Sequence, residues 1–207
     1  MGCKLRHYPS VAVNIENLNG QIDFNSVFGR SGPVHIDIGC GRGNFVLNEA
    51  RAREQVNFLG VEKASRFYRI SVDRMGRWGV GNVRILRADS VRFLREFVPG
   101  ESVDCFHIYF PDPWPKRRHH KRRFFCQENL DLLVRCLKKG GRIQVVTDYA
   151  EYFEVISDLF KQNGEWLAAC EFIPAAGARD AELVGTNYER KYNGCGRDIF
   201  KAAVRKF

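Results

Sequence analysis

One carboxylate and one indole ring stand beside a dense run of cationic side chains in this 207-residue chain. Asp112 and Trp114 lie among prolines, and six lysines and arginines follow within residues 116–123. A carboxylate and a flat aromatic ring can hold a nucleic-acid base, and a cationic run can hold phosphates. The stretch therefore predicts chemistry on a base of a polyanion. The six cations are Lys116, Arg117, Arg118, Lys121, Arg122 and Arg123.

The formal net charge of the chain is +9, with a sequence pI near 9.4. Six positive charges lie in residues 116–123, which leaves +3 for the rest of the chain. Because the basicity is concentrated in one stretch, it favours a binding surface for a polyanion over general solubilising charge. A basic loop that is merely solvated is the alternative interpretation.

Seven cysteines are spread along the chain, and none belongs to a C-x-x-C pair. A zinc cluster or a disulfide framework would need paired spacing, so we expect free thiols in a reducing cytoplasm. His119 and His120 lack ligand partners at suitable spacing, and we therefore expect no metal. The sequence shows neither a signal-peptide core nor a run of about 20 apolar residues, so we expect no membrane association.

Strand patterns alternate with helical patterns from residue 34 onward. The predicted strands are residues 34–38, 58–62, 83–86, 103–110, 142–147, 166–173 and 198–204. Helices are predicted at residues 44–53, around 68–75, at 91–97, at 125–138 and around 153–160. Gly140 and Gly141 are expected to end the helix at 125–138. The last two strands, joined by a loop at 174–187 without a helix, would form an antiparallel hairpin.

This alternation indicates the fold class. It predicts a Rossmann-like α/β domain with a mostly parallel seven-stranded sheet, an antiparallel edge strand and helices on both faces. All 207 residues are assigned to a single domain. Residues 1–30 are poorly patterned, and we expect them to form a loosely structured N-terminal arm.

Three glycines, Gly39, Gly41 and Gly43, follow the first predicted strand in the order G-x-G-x-G. Glycines permit a tight turn and close approach of the backbone to a ligand. A dinucleotide-binding fingerprint would need its third glycine at position 44, which is Asn44. Asp37, just before the loop, would repel a pyrophosphate but suits a cationic ligand.

Acidic residues also end the next two predicted strands. Glu62 ends one, and Asp89, followed by Ser90, ends the other. The carboxyl ends of parallel strands line the crevice in which open α/β sheets bind ligands. S-adenosyl-L-methionine suits an acidic crevice, because it carries an ammonium group and a sulfonium but no phosphate. Glu62 could bind both ribose hydroxyls and Asp89 the adenine amino group; the alternatives are solvent exposure of Glu62 and helix capping by Asp89 or Ser90. The predicted cofactor residues are Asp37, Gly39, Gly41, Gly43, Glu62, Asp89 and Ser90.

Three motifs occur in order along the chain. Residues 111–123 read PDPWPKRRHHKRR, residues 147–154 begin with T-D and end with F-E, and residues 186–189 read TNYE. In these motifs the chain resembles the bacterial tRNA (guanine-N7)-methyltransferases, which carry PDPWPK-x-RH-x-KRR, T-D-x-x-x-x-F-E and T-x-Y/F-E. The resemblance extends from about residue 34 to the C-terminus and implies the class I methyltransferase fold.

The resemblance implies S-adenosyl-L-methionine as cofactor, tRNA as partner, and methyl transfer to N7 of a guanine in the tRNA variable region. Asp37, Glu62, Asp89 and Asp112 would line the cofactor site. The family usually carries Glu where this chain has Asp37. The residues that would contact the RNA are Lys116, Asp148, Thr186, Asn187, Tyr188 and Glu189.

Guanine N7 offers an in-plane lone pair and has no proton to lose, so its attack on a sulfonium methyl needs positioning and electrostatics more than a general base. Methylation leaves positive charge on the purine. We hypothesise that Asp112, as the catalytic residue, offsets this charge and accepts hydrogen bonds from guanine N1–H and the N2 amino group. Trp114 would stack on the base or wall the pocket, or would be only a core or rim residue.

Three other functions are alternatives. A methyltransferase for exocyclic amines would carry N/D-P-P-Y/F/W after the fourth strand, whereas here residues 112–115 read DPWP, with the aromatic one position early. An RNA-binding module with a vestigial cofactor site is disfavoured by the intact glycine loop and the acidic strand ends. A nucleotide-dependent oxidoreductase is disfavoured by Asn44 and Asp37.

Overall fold

The computed structural model describes residues 5–18, 20–180 and 182–207, and its strands form one sheet. The strands are β1 (Ala12–Val13), β2 (Val34–Ile38), β3 (Asn57–Glu62), β4 (Val83–Arg87), β5 (Val103–Tyr109), β6 (Leu137–Thr147), β7 (Leu167–Ala169) and β8 (Phe200–Lys206). The helices are α1 (Phe24–Phe28), α2 (Asn44–Ala52), α3 (Ser65–Trp78), α4 (Ser90–Glu96), α5 (Gln127–Cys136), α6 (Ala150–Gln162) and α7 (Asn187–Gly194). Two short 3₁₀ helices cover Ile15–Asn17 and Arg117–Arg122.

The strand order is β1-β4-β3-β2-β5-β6-β8-β7. Neighbouring strands are parallel, except that β8 runs antiparallel to both β6 and β7. The order reverses between β2 and β5, and the carboxyl ends of strands at such a point are where open α/β sheets bind ligands. Asp37 pairs in register with His107, so the loops after β2 and β5 leave the sheet side by side.

Helices cover both faces of the sheet, as the sequence predicted. On one face α2 and α3 pack through Val46 and Met75. On the other face α4, α5 and α6 pack through Leu94, Leu133 and Ile156. All five side chains are fully buried, so the fold class predicted from the sequence is confirmed. Within the described ranges, none of the helices combines the length and the apolar character needed to cross a membrane.

The N-terminal region differs from the loose arm predicted for residues 1–30. β1 pairs in parallel with β4 and adds an eighth strand to the seven predicted. Phe24 and Phe28 of α1 are buried in the core. A two-residue strand is too short for a period-2 pattern, and this explains why the sequence did not reveal it. Residues 1–4 and 19 lie outside the described residues.

The closing strands pair antiparallel, as predicted, but they do not form a simple hairpin. α7 lies between them, and its sequence NYERKYNG lacks the apolar stripe by which a helix is predicted. β7 covers only three residues of the predicted 166–173. One reason is that the N–H of Ile173 donates to the side chain of Gln144 at 2.7 Å, outside the strand ladder.

The boundary between α5 and β6 also differs from the prediction. α5 ends at Cys136, and β6 begins at once with Leu137, which pairs with Val103. Gly140 (φ 76°) and Gly141 therefore lie within β6 and do not end the helix. The register shifts just after Val103, and strand glycines commonly mark such irregularities.

Candidate active site

The glycine loop joins β2 to α2 through three left-handed residues, Gly39 (φ 77°), Gly41 (φ 55°) and Gly43 (φ 70°). A Cβ at Gly39 would meet nothing within 4 Å, and one at Gly41 would meet only the Gly39 carbonyl oxygen, at 3.9 Å. The backbone there is open to a ligand. At Gly43 a Cβ would lie 2.6 Å from Met75 Cε, so the third glycine serves the packing of α2 against α3.

Glu62 ends β3 beside this loop, and only 8% of the residue is exposed. Its Oε2 accepts a hydrogen bond from the Gly41 N–H at 2.9 Å, and its Oε1 accepts one from the Ala64 N–H at 2.7 Å. The alternative interpretation, solvent exposure, is therefore wrong. Each carboxylate oxygen keeps a further lone pair for a ligand hydroxyl.

Asp37 is 5% exposed, one residue before the end of β2. Burial, and then the neighbouring Glu62 carboxylate, raise the pKa of Asp37 from 3.8 to about 8. The group is therefore mainly protonated at pH 7 in the free protein. A ligand ammonium group would favour the carboxylate and displace that proton.

Asp89 is the N-cap residue of α4, so the capping interpretation is confirmed. Its Oδ1 accepts from the Arg92 N–H at 3.1 Å, and its Oδ2 lies 3.0 Å from Lys63 Nζ. The Lys63 side chain is 78% exposed, so a ligand amino group can replace it. Ser90 is the first residue of α4 and is half-buried. Both residues follow β4, the parallel neighbour of β3, and so lie along the same edge as Glu62.

Residues 110–116, which follow β5 and which we call the Asp112 loop, carry Asp112 between two strained residues. Phe110 (φ 52°) and Trp114 (φ 43°) adopt the left-handed conformation, which is rare for large side chains. The Phe110 N–H donates to the Val146 carbonyl at 2.7 Å, which anchors the start of the loop to β6. Asp112 itself is exposed. Strained backbone of this kind concentrates at ligand-binding and catalytic sites.

Trp114 is half-buried and packs against the 3₁₀ helix Arg117–Arg122, which we call the basic turn. The guanidinium of Arg122 lies 5.0 Å from the centre of the indole, and the ring of His119 packs edge-on at 5.8 Å. The indole thus holds the basic turn beside Asp112. Stacking of Trp114 on a base stays a prediction.

Arg123 differs from the other cations of its stretch. Predicted to bind RNA, it is only 7% exposed. Its guanidinium forms a bidentate pair with Glu151 at 2.9 and 3.1 Å, and its Nε donates to the Pro113 carbonyl at 2.8 Å. It also lies 4.8 Å from the ring centre of Tyr152. Arg123 therefore ties the Asp112 loop to α6. The exposed cations are Lys116, Arg117, Arg118, Lys121 and Arg122.

Arg123→Gln is expected to lower the free energy of unfolding by about 2 kcal/mol, because the Glu151 carboxylate and the Pro113 carbonyl lose a charged, buried partner. Arg117→Gln removes an exposed cation of the same stretch and should leave the Tm unchanged. Thermal denaturation of the two variants, followed by circular dichroism, measures the difference. Equal Tm values would contradict the structural role of Arg123.

An aromatic cluster, defined by Phe110, Tyr188 and Tyr192, lies beside the Asp112 loop. The ring centres are 5.6 to 6.2 Å apart. Burial, and then the Asp148 carboxylate, raise the pKa of Tyr192, and the Asp112 carboxylate acts in the same direction. Both carboxylates are therefore within electrostatic reach of Tyr192. The sequence pointed only to Tyr188, because nothing local relates Phe110 to residues so far along the chain.

Asp148, predicted to contact the RNA, follows β6 and is paired within the protein. Its Oδ2 lies 2.7 Å from an Nη of Arg197, whose guanidinium lies 5.0 Å from the ring centre of Tyr192. The Arg197 side chain is 57% exposed, against 11% for Asp148. Nothing in the sequence predicted a role for Arg197, since a single arginine in a basic chain carries no local signal.

The TNYE motif forms the start of α7. Thr186 is the N-cap, and its hydroxyl accepts from the Glu189 N–H at 3.1 Å. The buried Glu189 carboxylate accepts from the backbone N–H groups of residues 183–185. These two residues, predicted to contact RNA, therefore shape the helix start and the preceding loop. Asn187 and Tyr188 are exposed and remain available to a substrate.

The chain is similar to known methyltransferases in sequence and in fold. Residues 31–202 match the family model described as putative methyltransferase. The chain is 31% identical to the tRNA (guanine-N(7)-)-methyltransferase of Idiomarina loihiensis, over 94% of this chain and 78% of the relative. It is 34% identical to the enzyme of that name from Halorhodospira halophila, over 89% of this chain and 79% of the relative. A SAM-dependent methyltransferase from Aquifex aeolicus shares the fold, with a TM-score of 0.56 at 13% identity over 86% of this chain and 85% of that one.

Proposed function

This chain belongs to the family of the tRNA (guanine-N(7)-)-methyltransferases, and from that premise we propose that it transfers a methyl group from S-adenosyl-L-methionine to N7 of guanine 46 in the variable loop of tRNA. One observation carries the proposal. The acidic residues at the carboxyl ends of β2, β3 and β4 lie at the edge of the sheet from which the loop with Asp112 also leaves, and the exposed cations of the basic turn follow that loop.

The crevice fits S-adenosyl-L-methionine. Gly39 and Gly41 leave space for a ligand to approach the backbone, and Asp37 offers a buried carboxyl group for an ammonium. Glu62 is held with a lone pair on each oxygen for ribose hydroxyls. Asp89 offers a carboxylate to an exocyclic amine. When bound there, the cofactor supplies an activated methyl group on a sulfonium centre.

The residues of the chain have to place guanine N7 in line with that methyl group and to stabilise the charge that develops. Asp112 would accept hydrogen bonds from guanine N1–H and the N2 amino group and offset the positive charge on the purine. The exposed face of Tyr188 would stack on the extruded base. Asp148 becomes available to the substrate when Arg197 is displaced from it.

We assign the exposed cations of the Asp112 loop and the basic turn to the tRNA backbone. Each has a solvated head group, and together they form a positive surface beside the site. Arg123 is left out of this surface because its donors are used within the protein. The six described cysteines are all free, which supports a reducing location, and we propose the cytoplasm.

The test is transfer of labelled methyl from S-adenosyl-L-methionine to an unmodified tRNA transcript with guanine at position 46, beside a transcript with adenine there. Label only on the first transcript is expected, because adenine lacks the N1–H and N2 donors that Asp112 would select. Equal label on both would move the target to another nucleotide. Cofactor binding without label on either would indicate another substrate or a binding role.

A further inference from the structure

We propose that the protein has a second binding site, for a phosphate-bearing anion, at the edge of the sheet opposite to the cofactor crevice. A cavity of about 360 Å³ lies at the amino ends of β2, β5 and β6. Its lining includes His35 of β2, Cys105 and His107 of β5 and residues 139–142 and 144 of β6. None of these residues takes part in the proposed methyl transfer, and the proposal does not depend on it.

The charge of the cavity lining is positive. Arg53, Lys139 and Arg142 contribute cations. The one carboxylate in the described lining belongs to Asp104, and it already pairs with Lys138 Nζ at 2.7 Å. The field inside the cavity therefore attracts an anion.

The cations keep donors free for a ligand. Arg53 bonds to Glu49 through its Nε, at 3.3 Å, and this leaves its terminal nitrogens. Among the described residues, the Arg142 guanidinium makes one hydrogen bond, a long one from an Nη to the Glu171 carbonyl at 3.3 Å. Lys139 is exposed at the rim. A tetrahedral oxyanion, which accepts several hydrogen bonds at once, matches such a set of donors.

A buried chain of hydrogen bonds ends at the cavity with a further donor. Gln144 Oε1 accepts from the Ile173 N–H at 2.7 Å, which turns its amide nitrogen toward Tyr109 Oη at 3.5 Å. Because Tyr109 Oη accepts from Gln144, we assign its proton to the contact with His107 Nδ1 at 2.8 Å, and this places the His107 proton on Nε2, facing His35 Nδ1 at 3.0 Å. Burial lowers the pKa of both histidines, so both rings are neutral. The remaining proton of His35 is therefore on Nε2, as a donor.

The same series of hydrogen bonds favours an anion over a metal ion as the ligand of the cavity. Ligand atoms of His35, Cys105 and His107 lie within 4.8 Å of one another, a spacing that could hold a metal. The facing nitrogens of the two histidines already share a proton, however, and the Nδ1 lone pair of His107 is used by Tyr109. Three nearby cations would also repel a divalent ion. The donors and the charge both favour an anion.

Calorimetric titration of the intact protein with inorganic phosphate and with pyrophosphate tests the site. Binding is expected in the wild type and should weaken about tenfold in Arg142→Gln, which removes charged donors from the lining. Lys161→Gln, an equal loss of charge at an exposed residue of α6 that belongs to neither site, should bind as the wild type does. Lys139→Gln is a second test variant, on an exposed side chain, should Arg142→Gln fold poorly.

Three results would overturn the proposal. One is phosphate binding that neither Arg142→Gln nor Lys139→Gln weakens. Another is binding that Arg117→Gln abolishes, which would place the phosphate on the basic turn. The third is saturable Zn²⁺ binding that Cys105→Ser removes, which would show that a metal holds the site.

The source of the phosphate follows from a second measurement on Arg142→Gln. A several-fold increase in KM for tRNA, with cofactor affinity unchanged, would show that the site receives a phosphate of the RNA backbone. An unchanged KM, with phosphate binding lost, would show that it receives a small phosphorylated molecule. Both outcomes support an anion site, and the phosphate titration stands even if tRNA proves not to be the substrate.

Discussion

Asp112→Asn is expected to reduce the rate of methyl transfer to tRNA about a hundredfold, while the folded protein still binds both tRNA and the cofactor. The amide nearly keeps the size of the carboxylate but removes its charge. The purine becomes positively charged as the methyl group arrives, so the lost interaction is strongest in the transition state. The effect should therefore appear in kcat more than in KM.

Single-turnover methylation of the guanine-46 transcript measures this effect. Asp158→Asn, which neutralises an exposed carboxylate on α6, is the matched control and should behave as the wild type does. Full activity of Asp112→Asn would contradict an electrostatic role of Asp112 in methyl transfer. A loss confined to cofactor binding would make Asp112 a binding residue for the cofactor.

Asp37→Asn is expected to have two opposite effects: weaker binding of S-adenosyl-L-methionine, by about tenfold or more, and a higher Tm near neutral pH. The affinity falls because the ligand ammonium loses a buried counter-charge. The Tm rises because the wild-type Asp37 carboxylate is destabilised by burial and by the nearby Glu62 carboxylate, which together raise the pKa of Asp37 to about 8. The amide has no charge to desolvate.

The raised pKa of Asp37 determines how its contribution to folding stability changes with pH. Between pH 3.8 and about 8 the folded protein retains a proton on Asp37 that the unfolded chain has released. The contribution of this group to stability is therefore fully present below pH 3.8 and is lost as the pH rises toward 8. The Tm difference between Asp37→Asn and the wild type should be small near pH 4 and largest near pH 8.

Calorimetry can follow the same proton during binding. At pH 7 the wild type should release a proton from Asp37 when the cofactor ammonium binds, and the observed heat should then depend on the ionisation enthalpy of the buffer. Asp37→Asn should lack this contribution. Equal proton release by the two proteins, or a lower Tm for Asp37→Asn at pH 8, would show that Asp37 is ionised in the free protein.

Most of the sheet could be predicted from the sequence because its strands are apolar and regularly separated by helices. The elements that were missed lack a local pattern. β1 has only two residues, and α7 lacks an apolar stripe and is defined by its cap, Thr186, and by Glu189. The end of α5 was misplaced because the pairing of Leu137 with Val103, a contact between distant residues, outweighed the local glycines.

The acidic strand ends were predictable because parallel topology brings the carboxyl ends of strands to one edge. The direction in which each side chain points could not be predicted from the sequence. Arg123 lies in the same basic run as Arg122, yet only Arg123 points inward to Glu151. Likewise, only the folded chain brings Arg197 to Asp148 and Phe110 to Tyr192.

The ion pair between Arg197 and Asp148 has a consequence for discrimination between RNA and free nucleosides. A ligand that binds Asp148 leaves Arg197 without its counter-ion, and guanosine alone has no anionic group to replace it. An RNA chain can present a base to Asp148 and, at the same time, a phosphate to the exposed Arg197. The site would thus favour a ligand that carries both groups, and guanine nucleosides, which lack a phosphate, would compete poorly.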